Sequence, residues 1–318
     1  MLSREMDPNR GRSGRTFLCL EALEDRCCPS GVSFNPHLHT LTLTGDSSGG
    51  TFTVRDNGSG TVSATVVDGH GHRTTLTRSG VQHIAIQSGT GNDRIDYALT
   101  GRLTRSEQIS LNLGRGTDTV GLDFSRGVAA PSLSVNVEGG QGTDHINAVF
   151  GAIHNTRLNF AAHLGAGPDQ FHAALNGDLS GKADVNLSVK GNTAFDGMNV
   201  QVHGNVGAAA QLAISEQGGQ GKDTMHADYW GRVDGHLTIH LNGGAQFDWI
   251  ESNVTLAAGS SGRVEDKILG SPGDDVLILR LHDQGTHLRS RTAVIDGGGG
   301  FNVAMRTPNV QLIRIQQP

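Results

Sequence analysis

From about residue 80 onward the chain alternates apolar and polar positions with a period of two, in short runs that recur along its length. One apolar column reads Ile84, Ile109, Val135, Phe160, Leu187, Ile214 and Ile239. A second reads Ile95, Val120, Ile146, Phe171, Met198, Met225, Ile250 and Leu277, and a third Leu99, Phe124, Phe150, Leu175, Val202, Tyr229, Val254 and Leu281. Polar residues fill the places between, such as Ser134, Asn159, Asn186 and Thr238 before the break in each repeat and Asp96, Asn147, His172, Asn199 and His226 after it. Such alternation belongs to β-strands with one buried face. The first column fails only at Asp266.

The columns keep time with a Gly-rich hexad that closes on an acid or amide. Its copies end at Asp93, Asp118, Asp144, Asp169, Asp196, Asp223, Asp248, Asp275 and Asn302, with steps of 25, 26, 25, 27, 27, 25, 27 and 27 residues. Each repeat therefore reads as strand, tight turn, strand and a looser turn that absorbs the variation in length. Two strands cannot bury an apolar face alone, so successive repeats must stack on a shared core. The pattern predicts an all-β chain, a parallel β-solenoid of about nine or ten coils, since sheet rungs lie about 4.8 Å apart and turns stacked that closely leave room only for glycine.

The ends depart from this rhythm. Gly45–Gly50 resembles a tenth copy without its Asp, and the long step from there to Asp93 leaves space for a hairpin turning at Asn57-Gly58, with strands Thr51–Arg55 and Thr61–Val67. Pro308 and a short strand over Val310–Ile315 read as a closing cap. The expected organisation is a leader over residues 1–30, an N-terminal capping β region over 31–88, solenoid repeats over 89–304 and a C-terminal cap over 305–318.

Composition sharpens this picture. Glycine supplies 46 of 318 residues, about twice the usual share. The net charge of −6 is spread along the chain without a basic stripe, which argues against nucleic acid as a partner. No apolar run approaches the length of a membrane helix. All three cysteines (Cys19, Cys27 and Cys28) fall in the leader, so the body has no disulfide framework and no thiolate metal site. Within the leader, Leu20-Glu21-Ala22-Leu23-Glu24-Asp25-Arg26-Cys27-Cys28-Pro29-Ser30 resembles the LExLEDR-type segment near the N-terminus of many large planctomycete proteins thought to be exported. That resemblance covers about 15 residues; it implies an extracellular or cell-surface location and no activity.

The hexads resemble the hemolysin-type (RTX) calcium repeat, G-G-x-G-x-D-x-U-x, over most of residues 40–304. In that family Ca²⁺ sits between stacked turns, held by Asp carboxylates and backbone carbonyls. The resemblance implies Asp93, Asp118, Asp144, Asp169, Asp223 and Asp275 as metal ligands, with Ca²⁺ the expected cofactor. The chemistry agrees, because Ca²⁺ takes six to eight oxygens and stacked Asp residues otherwise repel. The departures matter as well. Only one edge of each coil carries the signature, and only Gly139–Asp144 and Gly218–Asp223 match it in full. Asp196 and Asp248 follow Phe195 and Phe247 in turns that lack a glycine, which is expected to deprive Asp223 and Asp275 of good neighbours and to concentrate binding at Asp93 to Asp169. The plainer alternative is that each Asp only caps its own turn through backbone amides.

The remaining chemistry is sparse. His37-x-His39 and His70-x-His72 have the spacing that puts two rings on one strand face, a candidate metal pair with no third ligand nearby in sequence; solvated surface histidines are the favoured reading. No nucleophile elbow, zinc-protease helix or phosphate loop occurs. Asp96, Asp123, Asp228 and Glu251 with Arg94 or Arg126 can line a glycan groove, as in β-helix polysaccharide lyases and hydrolases. However, the coils vary too little in length to build a cleft, and few exposed aromatics are expected beyond Trp230 and Trp249. The expectation is a non-enzymatic secreted or surface module, structural or adhesive, whose partners are cell-surface or matrix components or glycans. A carbohydrate-active enzyme is the alternative.

Overall fold

The computed structural model describes residues 30–315; residues 1–29 of the leader, with its cysteines, lie outside the described residues. The described chain is all-β, and none of its segments forms a helix long and apolar enough to cross a membrane. It is a parallel β-solenoid with two long sheets.

The first coil is built upstream of the first Asp. Strands β1 (Gly31–Asn35) and β2 (Thr40–Thr44) form an antiparallel pair, and β2 then stacks in parallel on β6 (His83–Gln87). The Gly45–Gly50 turn leads into β3 (Gly50–Asp56), which stacks in parallel on β7 (Arg94–Leu99). The Asp-less hexad is thus a true coil turn. The expected hairpin is present as β3 with β4 (Thr61–Asp68), and a third antiparallel strand, β5 (Arg73–Ser79), follows. Most of β5 faces solvent, so it carries no apolar alternation by which the sequence could reveal it.

From β6 and β7 onward every rung is parallel and in register. Ile84 pairs with Ile109, Ile109 with Val135 and Val135 with Phe160 in one sheet. In the other, Ile95 pairs with Val120, Val120 with Ile146 and Ile146 with Phe171. All three apolar columns are buried between the sheets. In the earlier coils the core carries an aromatic run: Tyr97, Phe124 and Phe150 follow one another with successive ring centroids 5.1 Å apart, the first pair tilted and the second stacked, and Phe160 meets Phe150 edge-on. Asp266, the break in the first column, is nonetheless fully buried; its Oδ2 accepts a hydrogen bond from Ser252 Oγ, and burial pushes its pKa to about 7. Glu216 is also buried in the core, with its pKa raised to about 8. At the far end the strand over Gln311–Ile313 adds one more parallel rung beside Ser290–Asp296.

Both histidine pairs depart from the strand placement expected of them. His37 and His39 lie in the turn between β1 and β2, and His70 and His72 lie in the connection between β4 and β5. Each pair follows a residue whose side chain organises the turn, Asn35 or Asp68, accepting backbone N–H groups two to four residues on.

Candidate functional site

The tight edge of the solenoid is a column of hexads with one backbone plan. In the turns that close on Asp93 to Asn302, positions two and four take a positive φ, Gly273 apart, which is why glycine dominates there; where it is missing, Asn192, Ala194, Gln246 and Ser271 adopt the same conformation at φ 71 to 89°. Position four is also crowded: a Cβ on Gly142 would lie 1.6 Å from the Gly116 carbonyl oxygen of the preceding coil.

At position six the acids form a continuous ladder. Each Asp Oδ1 accepts the backbone N–H of the equivalent residue one coil earlier. The N–H of Asp93 reaches Asp118 at 2.7 Å, that of Asp118 reaches Asp144 at 2.9 Å and that of Asp144 reaches Asp169 at 2.7 Å. The ladder runs through Asp196, Asp223, Asp248 and Asp275 at 2.8 to 3.0 Å without a break. It starts at the Gly50 N–H, which donates to Asp93, and ends where the Asp275 N–H meets Asn302 Oδ1. The turns of Asp196 and Asp248 were expected to isolate Asp223 and Asp275, yet they keep those neighbours in place. Their non-glycine residues tolerate the left-handed backbone, so the ladder geometry survives the lost glycines.

All eight Asp side chains are between 0% and 3% exposed, and in every one Oδ2 is buried without a hydrogen-bond partner. The position-six atom that replaces Oδ2 in the last turn shows what it faces. Asn302 Nδ2 donates to the Gly297 carbonyl at 2.8 Å and to the Gly299 carbonyl at 3.4 Å, the residues at positions one and three of its own hexad. In the Asp turns Oδ2 also lies against position one: a Cβ on Gly191, Gly218, Gly243 or Gly270 would stand 2.3 to 2.6 Å from it. Burial is the main cause that raises these acids, to about 7 for Asp93, Asp144, Asp196 and Asp248 and to about 6 for Asp169 and Asp275. Asp118 and Asp223 shift the same way. Repulsion between stacked carboxylates, the cost foreseen from the sequence, is secondary to desolvation.

A buried carboxylate oxygen beside carbonyl oxygens needs a proton or a cation. Carboxylate and backbone carbonyl oxygens are the donor set of a hard cation, so the turns fit Ca²⁺. The residues that would hold it are the six acids expected from the sequence together with Asp196 and Asp248.

The outer face of the second sheet carries the other candidates. Arg94 and Asp96 form an ion pair at 2.8 Å and, with Asp123, line a shallow cleft. Asp228 and Glu251 stand farther along the column, in a network with His226, Asn253 and Arg280. Burial pushes both acids up, but their hydrogen bonds to His226, Asn253 and Arg280 outweigh it and hold both below the usual carboxylate range. A larger cleft of about 740 Å³ lies beside Phe195, with His145, His172 and His226 among its walls. The register of the sheet places Asn199 between His172 and His226, the outward column read from the sequence.

More aromatics face solvent than expected. Phe195, Phe247 and Phe301 join Trp230 and Trp249, because the residue before each turn acid points away from the core. Their placement follows from hexad position alone and was legible in the sequence. One cluster was not: the ligand atoms of Asp46, Asp68 and His70 lie within 4.8 Å of one another, brought together by the first turn and the β4–β5 tip. The chain matches no family model, no curated protein and no solved structure.

Proposed function

We propose that this chain is a non-catalytic β-solenoid module of the cell surface or exterior, structural or adhesive in role, whose Gly-Asp turns take up Ca²⁺. The observation that carries the reading is the set of eight buried Oδ2 atoms without a partner, set in turns whose last member aims a donor at backbone carbonyls. Bound Ca²⁺ would supply the positive charge that each turn lacks. By mass action it would stabilise the folded column in a calcium-rich exterior and leave it less stable inside a cell. The outward aromatics suit contact with glycans or surface partners, since aromatic rings offer flat apolar area to a sugar face.

The scaffold reading is favoured over a carbohydrate-active enzyme by the state of the outer carboxylates. Glycoside hydrolysis needs one carboxyl held protonated opposite an ionised one. Asp228 and Glu251 are both held low by their partners, and the acids raised to between about 6 and about 8 are in the core or the buried ladder.

Calcium titration of the full chain by calorimetry, with thermal melts in Ca²⁺ and in EDTA, tests the proposal. The expected result is saturable binding of several equivalents and a melting point raised by about 10 °C or more. That figure follows from about 2.7 kcal/mol per site at a hundredfold excess over Kd, about three such sites, and about 1.5 °C per kcal/mol in a chain of this size. Absence of binding heat together with identical melts in Ca²⁺ and EDTA would overturn it.

A further inference from the structure

The β4–β5 hairpin ends in Asp68-Gly69-His70-Gly71-His72, and this tip lies against the Gly45–Gly50 turn of the first coil. The approach is backbone-close: a Cβ on Gly69 would stand 2.4 Å from the Ser48 carbonyl oxygen. Two acids are thereby set face to face. Asp46 comes from the turn, where its Oδ1 accepts the Ser48 N–H at 2.8 Å. Asp68 comes from the tip, with its side chain only 8% exposed. Its Oδ1 accepts the N–H groups of His70 and His72, and its Oδ2 accepts a hydrogen bond from Ser30 Oγ.

Two carboxylates thus share a small space where the turn and the tip meet. The His70 ring completes a triad whose ligand atoms all lie within 4.8 Å of one another. The His72 ring stacks beside that of His70 with centroids 6.3 Å apart, and its Nδ1 is 3.0 Å from Asp68 Oδ2. A histidine on a liganding carboxylate is the kind of outer contact that orients metal ligands.

We propose that Asp46, Asp68 and His70 form a zinc-class divalent-metal site, with His72 positioning Asp68, that pins the hairpin tip to the first coil. An imidazole nitrogen with two carboxylates is the donor set of Zn²⁺ and its neighbours in the first transition row, whereas Ca²⁺ prefers oxygen alone. Three protein ligands leave a fourth position for water. The metal would neutralise the facing acids and join two segments more than twenty residues apart in sequence, fastening the antiparallel strands that flank the first coil. Its residues are separate from the Asp ladder, so the site stands or falls independently of calcium.

The test uses the full-length chain with Cys19, Cys27 and Cys28 replaced by serine, because free thiolates bind zinc, and with excess Ca²⁺ to saturate oxygen sites. Co²⁺ is titrated with visible absorption as the readout, followed by Zn²⁺ displacement and calorimetry. The expected result is one equivalent of metal per chain, weakened at least about tenfold by His70→Ala and by Asp46→Asn and unaffected by His37→Ala. Melting curves in EDTA that match the parent show that both variants fold. Absence of binding to the parent, or unchanged affinity in either variant, overturns the site.

Discussion

At position six, the last turn of the solenoid and the eight Asp turns that precede it differ by one atom. Asn302 and each turn Asp do the same work with Oδ1, receiving a backbone N–H from the coil before. Asn302 then closes its own circuit, because Nδ2 donates to the carbonyls of Gly297 and Gly299. The aspartates put an acceptor where that donor stands, and it has no hydrogen-bond partner. What the Asp turns lack is therefore positive charge or a proton. A column stabilised only by caps would be better served by asparagine throughout. Retaining a carboxylate in eight of the ten turns ties stability to pH through the raised acids and, on the function proposed above, to calcium.

The comparison breaks most decisively if interior turns are converted to the terminal kind. Replacing Asp118, Asp144 and Asp169 together by Asn should raise stability in EDTA by about 3 kcal/mol, at about 1 kcal/mol for each hydrogen bond gained. The same variant should bind fewer equivalents of Ca²⁺ and gain less from it. Melts and calorimetry on parent and variant check both effects, and a variant less stable than its parent in EDTA would mean that Oδ2 is already satisfied. The reverse change, Asn302→Asp, removes a donor from two carbonyls and adds a ninth buried acid; a loss of about 1–3 kcal/mol at neutral pH is expected from urea unfolding.

pH sharpens the comparison further. Among the three replaced acids, Asp144 and Asp169 have folded pKa values raised to about 7 and about 6 against an ordinary value of 3.8, and Asp118 is raised in the same direction. Between these limits the folded state holds protons that the unfolded chain has released, so stability falls as pH rises through that window. In EDTA the melting-point difference between the triple Asn variant and the parent should therefore be small near pH 4, widen toward pH 7 and then level off. A difference independent of pH would rule out titration of the ladder. The smallest effect concerns the missing glycines. Gln246→Gly relieves a left-handed φ of 83° but loosens the unfolded chain, so a net change within about 1 kcal/mol is expected, with Ca²⁺ stoichiometry unchanged.

Much of this molecule is written in its local pattern. The period-two alternation placed Ile95, Val120 and Ile146 on one buried line, and the 25–27-residue spacing of the acids placed them in one column, because side-chain direction along a strand is decided within two residues. The hairpin at Asn57-Gly58 was legible for the same reason, since turn chemistry is local. Strand β5 escaped because its outward residues have no apolar side to mark. The continuity of the ladder through Asp196 and Asp248 escaped because a missing glycine signals strain, whereas the hydrogen bond from the adjacent coil depends on how the neighbouring turn stacks. The same holds for the solitary Oδ2 and for the meeting of Asp46, Asp68 and His70. Repeat, strand faces and turn positions followed from sequence alone, as properties of short stretches of chain. The partner of each buried oxygen, and the company of His70, were decided only when coils and hairpin packed, because those contacts join residues that sequence spacing leaves far apart.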